Sequence, residues 1–324
     1  MSAGGRPRVV VLGRVPAPGL DALRDIAEVS TWDADDPMPL DERSRRLAEA
    51  DAAMTLLNDR VDAAFLDAAP RLRIVANVAV GYNNIDVAAC RERGVIVTNT
   101  PGVLTDATAD LAMALILMVT RRLGEGERLI RSGTPWQWGM FMMLGTGLQG
   151  RRLGIVGMGG IGVALAERAR AFGMEIAYHN RSAVGPDVAE RLAAVRLDLD
   201  ELLASSDVVS INCPYSPATH HLIDAGALAR MRPGAFLVNT ARGPIVDEAA
   251  LVDALRSGVI AGAALDVFEN EPTVHPGLLD LDNAVLVPHL GSATIETRTA
   301  MATLAARNVA AVLGGGEPLT PVTG

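Results

Sequence analysis

The sequence contains no lysine, so all 29 of its basic residues are arginine. Without lysine the chain cannot form a Schiff base with a carbonyl substrate or with pyridoxal phosphate, and it lacks the lysine of P-loop enzymes and kinases. Cysteine is scarce as well, because Cys90 and Cys213 are the only two and no Cys-x-x-Cys spacing occurs. This argues against a disulfide framework or a zinc site and favours a reducing compartment.

Long hydrophobic runs and excess positive charge are also missing. The longest apolar run, Leu111 to Val119, has nine residues, whereas a transmembrane helix needs about 20. The N-terminus leads directly into the strand-like run Val9–Leu12, with no hydrophobic region of a signal peptide. The formal net charge of −9 argues against a nucleic-acid partner. We therefore expect a cytoplasmic protein that binds neither nucleic acid nor membrane.

The first hundred residues alternate short β-branched runs with helical stretches, a pattern that predicts a parallel α/β sheet. The chain has 324 residues, 49% apolar and 21% charged, which is a globular composition with room for two domains. The predicted strands are Val9–Leu12, Ala53–Leu57, Arg73–Val78 and Val95–Thr98, and the predicted helices are Asp21–Ala27 and Asp41–Ala50.

A second α/β series begins at Arg152, after a long predicted helix from about Thr105 to Arg122. Its six predicted strands are Leu153–Val156, Glu175–Tyr178, Val208–Asn212, Ala235–Asn239, Ala261–Leu265 and Ala284–Val287, and a last helix covers Glu296–Leu313. Six strands separated by helices are typical of a doubly wound dinucleotide-binding fold.

We predict an α/β protein with two doubly wound parallel-sheet (Rossmann-like) domains. Residues 1–101 and 290–324 are expected to form a flavodoxin-like substrate domain, and residues 102–289 the dinucleotide-binding domain. A cleft between two such domains is the natural place for a ligand, so we expect the active site there.

A glycine motif follows the first strand of the second series. Gly157, Gly159 and Gly162 form Gly-x-Gly-x-x-Gly between that strand and a predicted helix, Val163–Phe172. In dinucleotide-binding folds the first glycine permits a tight turn, the second lets the backbone approach the pyrophosphate, and the third allows close packing. Because strand, glycines, helix and second strand occur in this order, we favour a dinucleotide site over a purely structural glycine turn.

The end of the next strand indicates which dinucleotide is bound. NAD-selective sites usually have a carboxylate there for the ribose 2′-hydroxyl, and the segment Tyr178 to Ser182 has none. Arg181, between Asn180 and Ser182, offers a guanidinium that can pair with a 2′-phosphate. We therefore favour NADP(H), with NAD(H) as the alternative if Arg181 is only a solvated surface residue.

Three polar groups follow the last three strands of the second series, whose carboxyl ends face one crevice in a doubly wound sheet. Arg242 follows the fourth strand, Asp266 to Glu271 follow the fifth, and His289 follows the sixth. Arginine binds a carboxylate through a planar fork, histidine can protonate a carbonyl oxygen near neutral pH, and a carboxylate can orient the imidazole. The alternative is a satisfied surface residue for His289 and a solvated loop acid for Glu271. We assign no role to the other histidines, because His220 and His221 lie in a loop that enters a helix and the sequence identifies no partner for His179 or His275.

These motifs resemble those of the D-isomer-specific 2-hydroxyacid dehydrogenase family, and most of all its glyoxylate/hydroxypyruvate reductase branch. The resemblance runs from about residue 50 to residue 312. It rests on Val80–Asp86, Asn99–Asp110, the glycine motif, Asn239–Gly243, Leu265–Pro272 and Pro288–Ser292, which occur in the order found in the family.

The resemblance implies a reductase that transfers hydride from NAD(P)H to a small 2-oxo acid such as glyoxylate or hydroxypyruvate. Arg242 would bind the substrate carboxylate and carbonyl, and His289, paired with Glu271, would donate the proton. The substrate carboxylate would also be bound by the backbone amides of Val80 and Gly81. The residues implied to contact the cofactor are Thr108, Gly157, Met158, Gly159, Gly160, Ile161, Asn180, Arg181, Ser182, Cys213, Pro214, Thr240, Ala241, Asp266 and Gly291, with no metal.

The resemblance also implies a homodimer formed through the dinucleotide-binding domain. Trp138 matches a tryptophan of a loop that can cap the partner's active site, and the alternative for it is an ordinary core aromatic. The neighbouring Met-rich segment, Met140 to Met143, departs from typical glyoxylate reductases and could admit bulkier groups.

Four alternative functions follow from these observations. The first is a reductase of a larger acid, such as 2-ketogluconate or an aryl pyruvate. Phosphoglycerate dehydrogenase is disfavoured because the long C-terminal extension is missing, and formate dehydrogenase because that branch has glutamine where Glu271 stands. The last is a non-catalytic dinucleotide-sensing scaffold, disfavoured by the lack of flanking tails and of a basic patch.

Overall fold

The structure is a computed structural model that describes residues 5–34 and 36–323. The chain divides into two compact units, one comprising Met1–Leu104 and Ala293–Gly324 and the other Thr105–Ser292. The unit boundaries therefore follow residues 104 and 292 instead of the predicted 101 and 289. The second shift has a local cause, because the backbone amides of Leu290 and Gly291 bond to Asp266 of the second unit.

The first unit is built on a parallel sheet of five strands in the order β2-β1-β3-β4-β5. Its strands are β1 (Arg8–Val11), β2 (Glu28–Thr31), β3 (Ala52–Thr55), β4 (Ile74–Asn77) and β5 (Ile96–Thr98). Its helices are α1 (Leu40–Leu47), α2 (Ala63–Asp67), α3 (Val87–Glu92) and the last helix of the chain, with a 3-10 helix at Ala17–Leu23. Strands β1, β3 and β4 are mostly buried, short-side-chain or apolar runs, as expected for parallel strands covered on both faces, whereas the edge strand β2 is exposed or half-buried.

The second unit contains a parallel sheet of seven strands in the order β12-β11-β10-β9-β6-β7-β8. Its strands are β6 (Arg152–Val156), β7 (Glu175–His179), β8 (Val195–Arg196), β9 (Val208–Ile211), β10 (Phe236–Asn239), β11 (Gly262–Leu265) and β12 (Ala284–Leu286). Its helices are α4 (Thr105–Thr120), α5 (Leu123–Arg131), α6 (Gly160–Ala171), α7 (Pro186–Leu192), α8 (Leu199–Ser205), α9 (Ala225–Arg230), α10 (Glu248–Ser257) and α11 (Pro276–Leu279), with a 3-10 turn at Gly243–Ile245. Two clusters of buried apolar side chains pack on this sheet.

The chain returns to the first unit through α12 (Ile295–Leu313). The helix packs against the 3-10 helix and β4, and its buried face consists of Met301, Ala302, Ala305, Ala306, Asn308, Val309 and Val312. Asn308, fully buried in α12, accepts hydrogen bonds from the amides of Leu319 and Thr320 and so holds the C-terminal segment.

The predicted fold class is confirmed, and the differences from prediction are local. The segment predicted as the helix Asp21–Ala27 forms a 3-10 helix further upstream, at Ala17–Leu23. Strands β2 and β8 and the helix α5 are absent from the sequence prediction. In the part of the chain that is described, no helix combines the length and the apolar character needed to cross a membrane.

Candidate active site

The glycine motif turns sharply between β6 and α6. Gly157 has a positive φ of 94°, and a Cβ atom there would lie 2.3 Å from the backbone nitrogen of Cys213. No side chain fits this position, since it combines a left-handed backbone with direct contact to the loop after β9. The amides of Gly160 and Ile161 open α6, and a Cβ on Gly159 would meet nothing within 4 Å. Open space in front of a helix N-terminus suits a pyrophosphate group.

Asn180, at the end of β7, fixes the glycine loop. Its Oδ1 accepts a hydrogen bond from the Met158 amide at 2.6 Å, and its Nδ2 donates to the Met158 carbonyl at 3.1 Å. Asn180 is thus a positioning group for the loop. Arg181 and Ser182 follow it on the exposed surface, and a guanidinium nitrogen of Arg196 donates to the carbonyls of Asn180 and Arg181, each at 2.9 Å.

Two buried polar atoms lie directly after the carboxyl ends of β9 and β10. The Asn212 Oδ1 and Thr240 Oγ1 atoms are buried without a hydrogen-bond partner among the described residues. Such atoms are usually satisfied by a ligand or by water. Together with the space at Gly159, they fit a dinucleotide lying across the ends of β6, β9 and β10. Cys213 and Pro214 follow Asn212 along the same edge, and Ala241 follows Thr240.

His289 and Glu271 form a hydrogen-bonded pair. His289 Nδ1 lies 2.8 Å from Glu271 Oε2, and the other carboxylate oxygen accepts the Phe268 amide at 3.0 Å. Within the described parts of the chain nothing bonds to His289 Nε2, so that nitrogen is available for a substrate. Burial alone would raise the pKa of Glu271, but His289, the Phe268 amide and Arg242 outweigh burial and lower it. Glu271 is therefore an anion beside the imidazole at neutral pH.

Asp266 holds the backbone of the loop that contains His289. It is 1% exposed, and its two carboxylate oxygens accept the amides of Leu290 at 2.5 Å and Gly291 at 2.9 Å. His289 itself has a left-handed φ of 52°, which is sparsely populated for a residue with a side chain. Thr108, buried in α4, donates its hydroxyl to the Gly291 carbonyl. Asp266, Thr108 and Gly291 thus fix the loop around His289.

Arg242 lies in the turn after β10, which Asn239 shapes. The Asn239 Oδ1 accepts the Ala241 amide, and its Nδ2 donates to the Arg242 carbonyl. Burial lowers the pKa of the Arg242 guanidinium while Glu271 opposes that shift, and arginine remains cationic at neutral pH. A half-buried cation at this place is suited to bind a substrate carboxylate.

Val80 and Gly81 belong to the first unit, in the loop after β4. Asn77 donates from Nδ2 to the Gly81 carbonyl at 2.8 Å, and Asn99 donates to the Val80 carbonyl at 2.8 Å. Because the carbonyls are held by buried or half-buried asparagines, the loop has a fixed course. Its role in binding a substrate carboxylate remains a prediction.

Comparisons with known proteins agree with this arrangement. A family model described as the NAD binding domain of D-isomer specific 2-hydroxyacid dehydrogenases matches residues 113–291. A glyoxylate reductase of Thermococcus onnurineus is 47% identical over 322 residues, covering 98% of this chain and 96% of that protein. This chain belongs to the D-isomer-specific 2-hydroxyacid dehydrogenase family.

Two solved structures of this family are similar over nearly the whole chain. The NADPH-dependent glyoxylate/hydroxypyruvate reductase of Sinorhizobium meliloti, in complex with NADP and malonate, is 36% identical with a TM-score of 0.83 and covers 98% of this chain and 97% of its own. The holo D-mandelate dehydrogenase of Rhodotorula graminis is 32% identical with a TM-score of 0.90 and covers 99% of each chain. The D-2-hydroxyacid dehydrogenase resemblance found in the sequence is therefore confirmed.

Three histidines of this dehydrogenase have hydrogen-bond partners that the sequence did not predict. His221 Nε2 bonds to Glu269 Oε1, His179 Nδ1 lies 3.1 Å from the Leu197 carbonyl, and His275 Nδ1 accepts the Gly277 amide. The sequence identified no partner for His179 or His275, and both have one in the structure. Trp138 is 73% exposed, so its interpretation as a core aromatic was wrong.

Replacing Asp266 tests whether it fixes the histidine loop. In Asp266→Asn one oxygen becomes an amide group that faces a backbone N–H, which leaves a buried donor without an acceptor. We expect the free energy of unfolding to fall by about 2 kcal/mol. The measurement is urea denaturation, with Asp253→Asn, an exposed acid in α10, as the control. A loss below about 0.5 kcal/mol, the scatter of ordinary surface substitutions, would contradict the role given to Asp266.

Proposed function

We propose that this dehydrogenase reduces a small 2-oxo acid, such as glyoxylate or hydroxypyruvate, to the D-2-hydroxy acid. The observation that carries the proposal is the His289–Glu271 pair at 2.8 Å, with the half-buried cation of Arg242 at the end of the same dinucleotide-binding sheet. Relatives named glyoxylate reductase that match nearly the full chain support the choice of substrate.

Arg242 would bind the substrate through its carboxylate. A planar guanidinium can donate two parallel hydrogen bonds to a carboxylate, or one to the carboxylate and one to the neighbouring carbonyl oxygen. The second arrangement stabilises the negative charge that develops on the carbonyl oxygen during reduction. Asn239 keeps the turn in place while this happens, since its side chain bonds to the Ala241 amide and to the Arg242 carbonyl.

His289 would supply the proton that completes the reaction. A bound reduced nicotinamide supplies the hydride that adds to the carbonyl carbon. The oxygen then takes a proton from Nε2 of a protonated His289, whose Nδ1 is held by Glu271. Because Glu271 is an anion with a lowered pKa, it stabilises the imidazolium before transfer and keeps the ring oriented.

His289→Gln tests the proton donor. Glutamine keeps a polar side chain but cannot donate a proton to an alkoxide, so kcat for glyoxylate with NADPH should fall by about 10²–10⁴. The assay follows loss of absorbance of the reduced nicotinamide, and quenching of its fluorescence gives the dinucleotide Kd.

The dinucleotide Kd should change little in His289→Gln, because the glycine loop is untouched. Unchanged turnover would reject the role of His289. If the wild-type protein oxidises neither NADPH nor NADH with any 2-oxo acid, the reductase proposal itself fails and a dinucleotide-sensing scaffold becomes the better interpretation.

We further propose NADP(H) as the preferred cofactor. Arg181 is exposed at the end of β7, and the backbone on either side of it is held by Arg196, which adds a second positive charge. No Asp or Glu stands between Tyr178 and Val184 to repel a 2′-phosphate. The relative from Sinorhizobium meliloti, which is described as NADPH-dependent, supports the same choice.

Arg181→Ala tests this preference. Losing the guanidinium should lower kcat/KM for NADPH by about tenfold or more while changing the value for NADH by less than about threefold. Arg170→Ala, an exposed arginine on α6, is the matched control. A wild-type protein that prefers NADH, or equal losses with both cofactors, would contradict the proposed 2′-phosphate site.

A reductase of larger 2-oxo acids is the second candidate. The Met-rich segment is adaptable, and a D-mandelate dehydrogenase is among the similar structures. A panel that includes glyoxylate, hydroxypyruvate, 2-ketogluconate and an aryl pyruvate separates the two candidates by kcat/KM.

We propose that the protein is a homodimer formed through its dinucleotide-binding unit. The loop between α5 and β6 exposes large apolar side chains: Trp136 (54%), Trp138 (73%), Met140 (72%), Phe141 (88%) and Leu144 (61%). Such a concentration of exposed apolar area is typical of an interface. Trp138 would then cap the partner's active site.

Phe141→Asp should shift the protein from dimer to monomer in light-scattering measurements, because it places a charge in an apolar interface. Leu40→Asp, which changes an exposed leucine of the first unit, should leave the mass unchanged. A monomeric wild-type protein, or a Phe141→Asp variant that stays dimeric, would contradict this interface.

The two cysteines support a cytoplasmic location, which we also propose. Neither is in a disulfide.

Burial, followed by the charge of Asp86, raises the pKa of Cys90 to about 11, and burial raises that of Cys213 to about 11. Thiols with such pKa values are poor nucleophiles at neutral pH.

A further inference from the structure

His221 connects two loops of the active site, although it touches none of the three proposed catalytic residues. Its backbone amide donates to the Pro244 carbonyl at 2.9 Å, in the turn that begins at Arg242. Its imidazole Nε2 donates to Glu269 Oε1, in the loop that carries Glu271. One residue thus bonds to both the loop that presents the arginine and the loop that presents the catalytic carboxylate.

Glu269 is in turn fastened to the start of α10. Its amide donates to Glu248 Oε1 at 2.8 Å, and its Oε2 accepts the Glu248 amide at 3.4 Å. Glu248 is 3% exposed, and burial raises its pKa. Because Glu269 forms hydrogen bonds with both Glu248 and His221, its backbone has little freedom to move.

The two loops also touch each other directly. A Cβ on Gly243 would lie 1.9 Å from the carbonyl carbon and oxygen of Phe268, so the backbone after Arg242 packs against the backbone before Glu269. The Phe268 amide is the one that bonds to Glu271. Any shift of the Phe268–Glu269 backbone therefore changes the position of Glu271 relative to His289.

His221 has a backbone conformation that side chains rarely adopt. Its φ is 48°, in the left-handed region, where a residue other than glycine is typically strained by about 1 kcal/mol or more. His220 stacks on it with ring centroids 4.1 Å apart, and Asp247 Oδ2 lies 3.9 Å from its Nδ1. Strain of this kind persists where the surroundings hold the residue firmly, and here the surroundings are these two loops.

We propose that His221 is a positioning residue of the reductase, which holds the Arg242 loop and the Glu271 loop in register through its hydrogen bonds to Pro244 and Glu269. It acts through Glu269 and Phe268 on Glu271, and so on the orientation of His289. The inference rests on the proposed function, because the groups that it positions are those assigned to proton transfer and carboxylate binding.

The test compares three variants with the wild-type protein. His221→Gly removes the imidazole and suits the left-handed backbone, so the loss of the side chain is not combined with strain. His221→Gln keeps an amide N–H that can donate to Glu269. His220→Gln is the control, because His220 is exposed, its hydrogen bond goes to Tyr215, and it contacts His221 only by ring stacking.

Each variant is measured by kcat for glyoxylate with NADPH, by dinucleotide Kd, and by hydrogen–deuterium exchange of the segment 266–272. In His221→Gly we expect kcat to fall by about tenfold or more, the Kd to stay within about twofold, and the Phe268 and Glu269 amides to exchange about tenfold faster. His221→Gln should retain kcat within about threefold, and His220→Gln should match the wild-type protein.

The proposal is overturned if kcat of His221→Gly stays within about twofold of wild type, if exchange of the segment is unchanged, or if the Gln variant is as impaired as the Gly variant. A loss confined to dinucleotide affinity and melting temperature would also overturn it, because that pattern indicates a general structural role. Failure of the proposed function is recognised separately, by the absence of wild-type turnover, and the exchange measurement still decides whether His221 holds the loop.

Discussion

The candidate site depends on one buried carboxylate, Asp266, which accepts two consecutive backbone amides. Backbone donors at a loop have no regular partner, and burying them unpaired would cost about 1–3 kcal/mol each. Asp266 satisfies the amides of Leu290 and Gly291, and its own carbonyl accepts the His289 amide. Three hydrogen bonds from one residue thus determine where the chain turns after β12. The left-handed conformation of His289 follows from that turn.

The second constraint is the direct backbone contact between the loops after β10 and β11. Parallel neighbouring strands place their carboxyl ends side by side, but they do not fix the loops that follow. Gly243 has no side chain, so the backbones of the two loops can pack directly against each other. The Glu269 amide bonds to Glu248, which attaches the loop after β11 to the start of α10. The positions of Arg242 and Glu271 are consequently linked through the contact between their loops, although one follows β10 and the other follows β11.

The strands that position the site could be predicted from sequence because they are continuous apolar runs bounded by polar residues. β2 was missed because Glu28–Thr31 is an exposed or half-buried edge without such a run, and α5 because its start follows Arg122 in a left-handed conformation that no local pattern signals. Arg242, Glu271 and His289 could be found from their places after strands. The partnership of His221 with Glu269 could not, because the two residues are 48 positions apart and meet only in the folded chain.

The acidic groups of the site differ in the direction of their pKa shifts, and this difference agrees with their different roles. Burial is the largest influence on Asp266 and Glu248 and raises the pKa of both. In Glu271 the same burial is outweighed by His289, by the Phe268 amide and by Arg242, and the pKa falls. Glu271 is also the carboxylate that bonds to the imidazole, so it is the group suited to support proton transfer. Asp266 and Glu248 serve instead as fixed acceptors for backbone amides, and they do so at the places where the loops carrying His289 and Glu271 would otherwise be free to move.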